Sequence, residues 1–128
     1  RPESLFIVEL NPELHQGLQR SFPHSPVVCG DARELQSLLA QTEGFRDGLV
    51  DAIVSSLGFL SMPPSLVEEI VAAAFACLPP RGVLVQFTYG PKCPVPATTL
   101  RRLGLKARRV DFTLMNLPPA SVYVLRRV

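Results

Sequence analysis

The chain has 128 residues, enough for one domain or a large piece of one. A hydrophobic fraction of 47% supports a buried core and excludes a disordered chain. Its apolar runs are interrupted by Asp51, Ser55 and Ser56 or by Glu68 and Glu69, so none is long enough for a membrane span. The odd set Cys29, Cys77 and Cys93 reads as reduced thiols rather than a disulfide framework, and no secretory signal is visible, which suits the cytoplasm. The net charge of +2 is unevenly spread: residues 1–91 carry 5 basic and 10 acidic side chains, residues 92–128 carry 8 basic ones and only Asp111. A basic C-terminal third can face phosphate on lipid headgroups or nucleic acid, or it can be a solvated surface.

Residues 5–9, Leu5-Phe6-Ile7-Val8-Glu9, form a strand that ends in a carboxylate. Asn11 and Pro12 then open a helix as N-cap and first residue, with Leu14, Leu18 and Phe22 spaced four apart on one face. A second strand, Val27–Cys29, with Cys29 expected to be buried, ends in Gly30-Asp31-Ala32. It turns into a helix carrying Leu35, Leu38 and Leu39. Two carboxylates at strand ends, about 20 residues apart, suit a nucleoside in the crevice where open α/β sheets bind ligands. One can accept the ribose hydroxyls and the other the adenine amino hydrogen. Glu9 can equally be a solvated strand end. Asp31 has capping-box spacing to Glu34 and can simply satisfy helix amides, or one oxygen can serve each task.

A loop over residues 42–48 leads to a third strand at 50–55. The next segment, residues 58–64, is too apolar for ordinary solvent exposure, and its Phe59 and Met62 read as packing residues. Leu66, Val67, Ile70, Val71, Ala74, Phe75 and Leu78 make a continuous helical stripe. Pro63-Pro64 starts that helix and Pro79-Pro80 stops it. Residues 83–88 are a strongly apolar strand, as in the interior of a parallel sheet, and Tyr89 lies just past it as either a core aromatic or a site residue. A short basic helix over 96–103 precedes strands at 106–115 and 121–127. Their connection, Asn116-Leu117-Pro118-Pro119, permits an antiparallel hairpin and is too short for a helical crossover. Neither His15 nor His24 pairs with a Cys at ligand spacing, so no metal is expected.

The segments Val8-Glu9-Leu10-Asn11-Pro12, Cys29-Gly30-Asp31-Ala32, Asp51-Ala52-Ile53-Val54-Ser55-Ser56-Leu57, Val85-Gln86-Phe87-Thr88-Tyr89-Gly90-Pro91 and Asn116-Leu117-Pro118-Pro119-Ala120 resemble those of class I S-adenosylmethionine-dependent methyltransferases. Within that class the last two are most similar to the bacterial phospholipid (phosphatidylethanolamine) N-methyltransferases. The resemblance implies a single α/β domain over residues 1–128: a Rossmann-like sheet with a C-terminal antiparallel hairpin. The family's first strand, first helix and glycine-rich turn are absent from this sequence. It implies that Glu9 binds the cofactor ribose, that Asp31 and the Ala32 backbone receive the adenine, and that Ser55, Ser56 and Leu57 line the methionine end. Tyr89 would face the substrate amine as the catalytic residue; its ring can stabilise the methylated cation, and Phe59 can join it where it is not a packing residue.

The implied partner is a phospholipid substrate or an anionic membrane surface, met by Lys92, Arg101, Arg102, Arg108 and Arg109 peripherally at the inner membrane. Open sheet edges lead us to expect that the chain associates with another copy. The rival within the class is an rRNA adenine dimethylase-like enzyme. Such enzymes usually carry Asn-Leu-Pro-Tyr where this chain has Ser55-Ser56-Leu57-Gly58, so nucleic acid is the weaker expectation. A nicotinamide-cofactor module would also use Glu9, but the terminal hairpin speaks against it. An inactive remnant or interaction module would account for the missing glycine turn.

Overall fold

The computed structural model describes residues 4–113 and 119–128. The chain divides into two compact units, Arg1–Leu49 and Val50–Val128.

In the first unit β1 (Ile7–Glu9) and β2 (Val27–Cys29) pair in parallel, with Glu9 opposite Cys29. Between them runs α1 (Pro12–Ser21), which starts where the sequence places it. The Asn11 side chain accepts hydrogen bonds from the amides of Glu13 and Leu14, and Pro12 supplies a preset φ. His15 Nε2 donates to the Val27 carbonyl at 2.9 Å and ties α1 to β2. α2 (Leu35–Ala40) follows a 3-10 turn over Ala32–Glu34. Leu39 and Phe45 are buried, and the Phe6 and Phe45 rings lie 5.4 Å apart.

The second unit is a four-stranded sheet, β3 (Ala52–Ser55), β4 (Val83–Tyr89), β5 (Leu105–Thr113) and β6 (Ala120–Arg127), in the order β3-β4-β6-β5. β3 and β4 are parallel, while β4–β6 and β5–β6 are antiparallel. The crossover from β3 to β4 is α3 (Pro64–Ala76), which buries Val67, Ile70, Val71, Ala74 and Phe75 from the predicted stripe. α4 (Ala97–Leu103) precedes β5. The core face of the sheet carries Leu84, Gln86, Ser121, Tyr123 and Leu125, all buried. Arg127 lies on that same face by strand alternation. Its guanidinium donates to the carbonyls of Phe75, Pro79 and Leu78 at 2.6, 2.8 and 3.5 Å, which places the C-terminal end of α3 over this face.

Several expected boundaries move. The first strand is shorter than residues 5–9, because Leu5 and Phe6 do not pair. The third begins at Ala52 rather than at residue 50, since the Val50 amide bonds to the Cys77 carbonyl instead. Cys29 is exposed, not buried, its Sγ 3.5 Å from the Leu10 carbonyl. In the apolar loop Phe59 is buried as expected of a packing residue, but Leu60 is 60% exposed. The final two strands do pair antiparallel, with a bulge between Arg109 and Asp111. Of the connection, Asn116, Leu117 and Pro118 lie outside the described residues.

Candidate functional site

The predicted residues fall into two sets, each at the C-terminal end of a parallel strand pair. Glu9 closes β1, and its main-chain oxygen accepts from Gly30 N at 3.1 Å, so the two strand ends of the first unit are joined where Glu9 and Asp31 stand. A Cβ at position 30 would meet Leu38 Cδ1 at 2.8 Å, so glycine lets β2 turn closely against α2. Glu9 Oε1 accepts only a long bond of 3.3 Å from the Asn11 amide. Its other oxygen has no partner among the described residues, which is what binding a pair of vicinal hydroxyls requires.

Asp31 is more heavily engaged. Its Oδ1 accepts from the Arg33 amide at 2.8 Å, capping the 3-10 turn. The capping box expected with Glu34 therefore does not form, because the cap bond stops one residue short of it. The Arg33 guanidinium also grips the carboxylate, Nη2 to Oδ2 at 2.7 Å and Nε to both oxygens at 3.1 and 3.2 Å. These side-chain bonds, with the amide bond, hold the Asp31 carboxyl below its ordinary value. Thus an amino group at Asp31 competes with the Arg33 side chain, which is 47% exposed. Ala32 stands beside it, half-buried.

Because the folded-state value of Asp31 is depressed, its pairing with Arg33 stabilises the fold at neutral pH and is lost as the pH falls through the carboxylate range. Arg33→Ala is expected to move the Asp31 carboxyl back toward its ordinary value and to flatten that acid-side loss of stability. Titration by NMR of the side-chain carboxyl carbon reads it directly. Asp31→Asn should retain the cap, since Asn ranks with Asp there, while weakening adenine binding. Lower stability with cofactor affinity intact would leave Asp31 a purely structural role.

In the second unit Ser55 ends β3, opposite Gln86 of the parallel β4. Ser55 Oγ accepts from the Leu57 amide at 3.2 Å and shapes the turn through Ser56, which is exposed. The Leu57 carbonyl accepts from Gln86 Nε2 at 2.8 Å, and the same nitrogen donates to the Phe87 carbonyl at 2.9 Å. Gln86 is fully buried, and its Oε1 has no partner among the described residues. It is the strut that fixes the Ser55–Leu57 turn. Sequence reasoning missed it; the signal available was one amide in an otherwise apolar strand, and its partner was not legible. Gln86→Met should loosen that turn, seen as faster amide exchange at Leu57 with β4 still protected. Unchanged exchange would refute the strut.

Tyr89 is the last residue of β4 rather than a residue past it, and it is 62% exposed, so it is not a core aromatic. The chain then reverses at Gly90, whose φ of 83° suits glycine. That reversal is pinned: Ser121 Oγ donates to the Gly90 carbonyl at 2.6 Å and Tyr123 Oη to the Pro91 carbonyl at 2.5 Å. Burial pushes the Tyr123 phenol up, which keeps it a donor. Phe59, by contrast, is buried at 3% exposure, in keeping with the packing role read from the sequence, and offers no ring face to a substrate cation beside Tyr89.

The five cations expected to meet phosphate differ in their surroundings. Arg102 pairs with Glu68 at 2.7 Å, and Arg109 lies over the Phe112 ring at 4.8 Å. Lys92, Arg101 and Arg108 are exposed. Among the described residues no cluster of His, Cys, Asp and Glu can hold a metal ion, and no helix is long and apolar enough to cross a membrane.

No family model matches the chain, and no curated protein does. Solved structures do. The TehB-like S-adenosylmethionine-dependent methyltransferase of Corynebacterium glutamicum is 19% identical with a TM-score of 0.64, over 96% of this chain and 67% of that one. An rRNA methylase of Streptococcus thermophilus is 14% identical with a TM-score of 0.63, over 96% and 72%. The 1,6-didemethyltoxoflavin-N1-methyltransferase of Burkholderia thailandensis, seen with bound S-adenosylhomocysteine, is 15% identical with a TM-score of 0.62, over 96% of this chain but 60% of that one. At these identities the likeness establishes architecture, and the strand order with its C-terminal antiparallel pair agrees with it. This chain has the Rossmann-like fold of the class I S-adenosylmethionine-dependent methyltransferases.

Proposed function

We propose that the protein takes part in S-adenosylmethionine-dependent N-methylation of a phospholipid headgroup amine of the phosphatidylethanolamine type. The observation that carries the cofactor part is Glu9, a carboxylate with a free oxygen at the end of a parallel strand, in a fold shared with methyltransferases. When bound, the cofactor supplies a methyl group on a sulfonium centre, so the protein need only bind and orient. Glu9 takes the ribose hydroxyls, and Asp31 takes the adenine amino group once Arg33 releases it, with the Ala32 backbone alongside. Ser55, Ser56 and Leu57, braced by Gln86, receive the methionine end. Tyr89, exposed at the end of β4, holds the amine by hydrogen bonding and faces the cation that forms. Alignment of this kind accounts for about 7–11 kcal/mol of barrier lowering in favourable cases.

The lipid assignment rests on the likeness of the Gln86–Pro91 run and the hairpin to phospholipid methyltransferases, and on the exposed cations Lys92, Arg101 and Arg108. It places the protein in the cytoplasm, peripherally at the inner membrane. A second reading, methylation of RNA, is favoured by the fold's likeness to an rRNA methylase. Methyl-labelled S-adenosylmethionine, offered with phosphatidylethanolamine vesicles and RNA in one reaction, separates the two. Label extracted with the lipid supports the proposal, label in RNA replaces it with the second reading, and label in neither overturns both.

A further inference from the structure

The two strand-end carboxylates of the first unit differ in what already holds them. Glu9 accepts one long bond, and its other oxygen has no partner among the described residues. Asp31 has both oxygens engaged by Arg33. Oδ1 accepts from the Arg33 amide at 2.8 Å and from Nε at 3.2 Å, and Oδ2 accepts from Nε at 3.1 Å and from Nη2 at 2.7 Å.

Side chains two residues apart do not face each other on a regular α-helix. These meet because Asp31 is the extended N-cap of a 3-10 turn, at φ −89° and ψ 131°, with Arg33 inside that turn. The bond from the Arg33 amide caps the turn. The bonds from its guanidinium add nothing to the cap, so that side chain can leave while the turn stays. Both partners reach solvent, Arg33 with 47% and Asp31 with 28% of the side chain exposed. An ion pair in such a setting is weak, because water and salt screen it. The Arg33 bonds also hold the Asp31 carboxyl below its ordinary value, so at neutral pH it is ionised and accepts only. A guanidinium and a purine amino group are both N–H donors, and they need the same oxygens.

We infer that Arg33 is a specificity-determining residue: its guanidinium competes with a purine amino group for the Asp31 carboxylate, and so lowers the site's preference for a purine that carries that group. The inference rests on the proposed placing of adenine at Asp31. A purine without the amino group has no donor to exchange for the guanidinium, and it leaves the pair in place. Removing the guanidinium therefore favours the amino purine alone. Salt acts in the same direction, because with a neutral nucleoside it screens chiefly the ion pair.

Calorimetry on the whole chain with adenosine and purine riboside tests this, with circular dichroism confirming that each variant folds. The two nucleosides are neutral and differ in the amino group. In the wild type the preference for adenosine should be small and should grow with added sodium chloride. Arg33→Ala should tighten adenosine roughly two- to fivefold, the scale of an exposed ion pair, leave purine riboside unchanged and remove the salt effect. Arg33→Lys, which keeps the charge without the planar fork, should fall between the two. Asp31→Asn should lower the preference. A preference that Asp31→Asn lowers and Arg33→Ala leaves unchanged overturns the inference and keeps adenine at Asp31. A preference indifferent to both variants, or no binding of either nucleoside, overturns the placing of adenine and the inference with it. Weaker binding of both nucleosides by Arg33→Ala also overturns the inference, since the guanidinium would then hold the base itself.

Discussion

Replacing Glu9 by alanine is expected to weaken S-adenosylmethionine binding by about 1.5–3 kcal/mol, the range for hydrogen bonds to a charged group. In affinity this is a loss of roughly tenfold to over a hundredfold. The variant should fold, because Glu9 makes a single long bond, to the Asn11 amide, and α1 keeps its cap through the Asn11 side chain. Glu9→Gln is the informative companion. It keeps shape and one acceptor but loses the charge, so its affinity should fall between the other two. Calorimetry on a folded Glu9→Ala protein with undiminished affinity would remove Glu9 from the site.

Arg127→Met should destabilise the protein by about 1.5–3 kcal/mol, on the scale of a charge-assisted hydrogen bond. The half-buried guanidinium satisfies carbonyls of Phe75 and Pro79 at the end of α3, where the helix dipole also favours a cation. It sits 5.4 Å from the Phe75 ring centroid as well. Methionine replaces the stem but leaves those carbonyls without their donor. Arg127→Lys should recover part of the loss, since an ammonium cannot span carbonyls as the planar fork does. The urea midpoint of the whole chain is the readout. If Arg127→Met unfolds with the wild type, Arg127 is not the clasp between β6 and α3.

Local order was legible in the residues where local chemistry decides it. Asn11-Pro12 announced α1, the stripe from Leu66 to Leu78 announced α3, and the short link over residues 116–119 announced the antiparallel end of the sheet. Non-local partners were not. Nothing in the strand containing Gln86 tells that its amide reaches Leu57, 29 residues away, and nothing in the final basic run separates Arg127, which clasps a helix, from exposed Arg126. Arg33 lay in plain view two residues from Asp31, yet the cap bond to its amide and the grip of its side chain depend on the 3-10 turn, which capping-box spacing does not anticipate. Cys29 illustrates the limit of reading burial from residue type: an apolar strand of three residues does not bury its last side chain.

The most direct measurement is a crystal structure of the protein with S-adenosylhomocysteine, the product form of the cofactor. Both ribose hydroxyls are expected on the Glu9 carboxylate at the end of β1, and the Arg33 guanidinium displaced from Asp31 by the adenine amino group. A ribose held elsewhere, with Glu9 solvated and Arg33 still on Asp31, would contradict it.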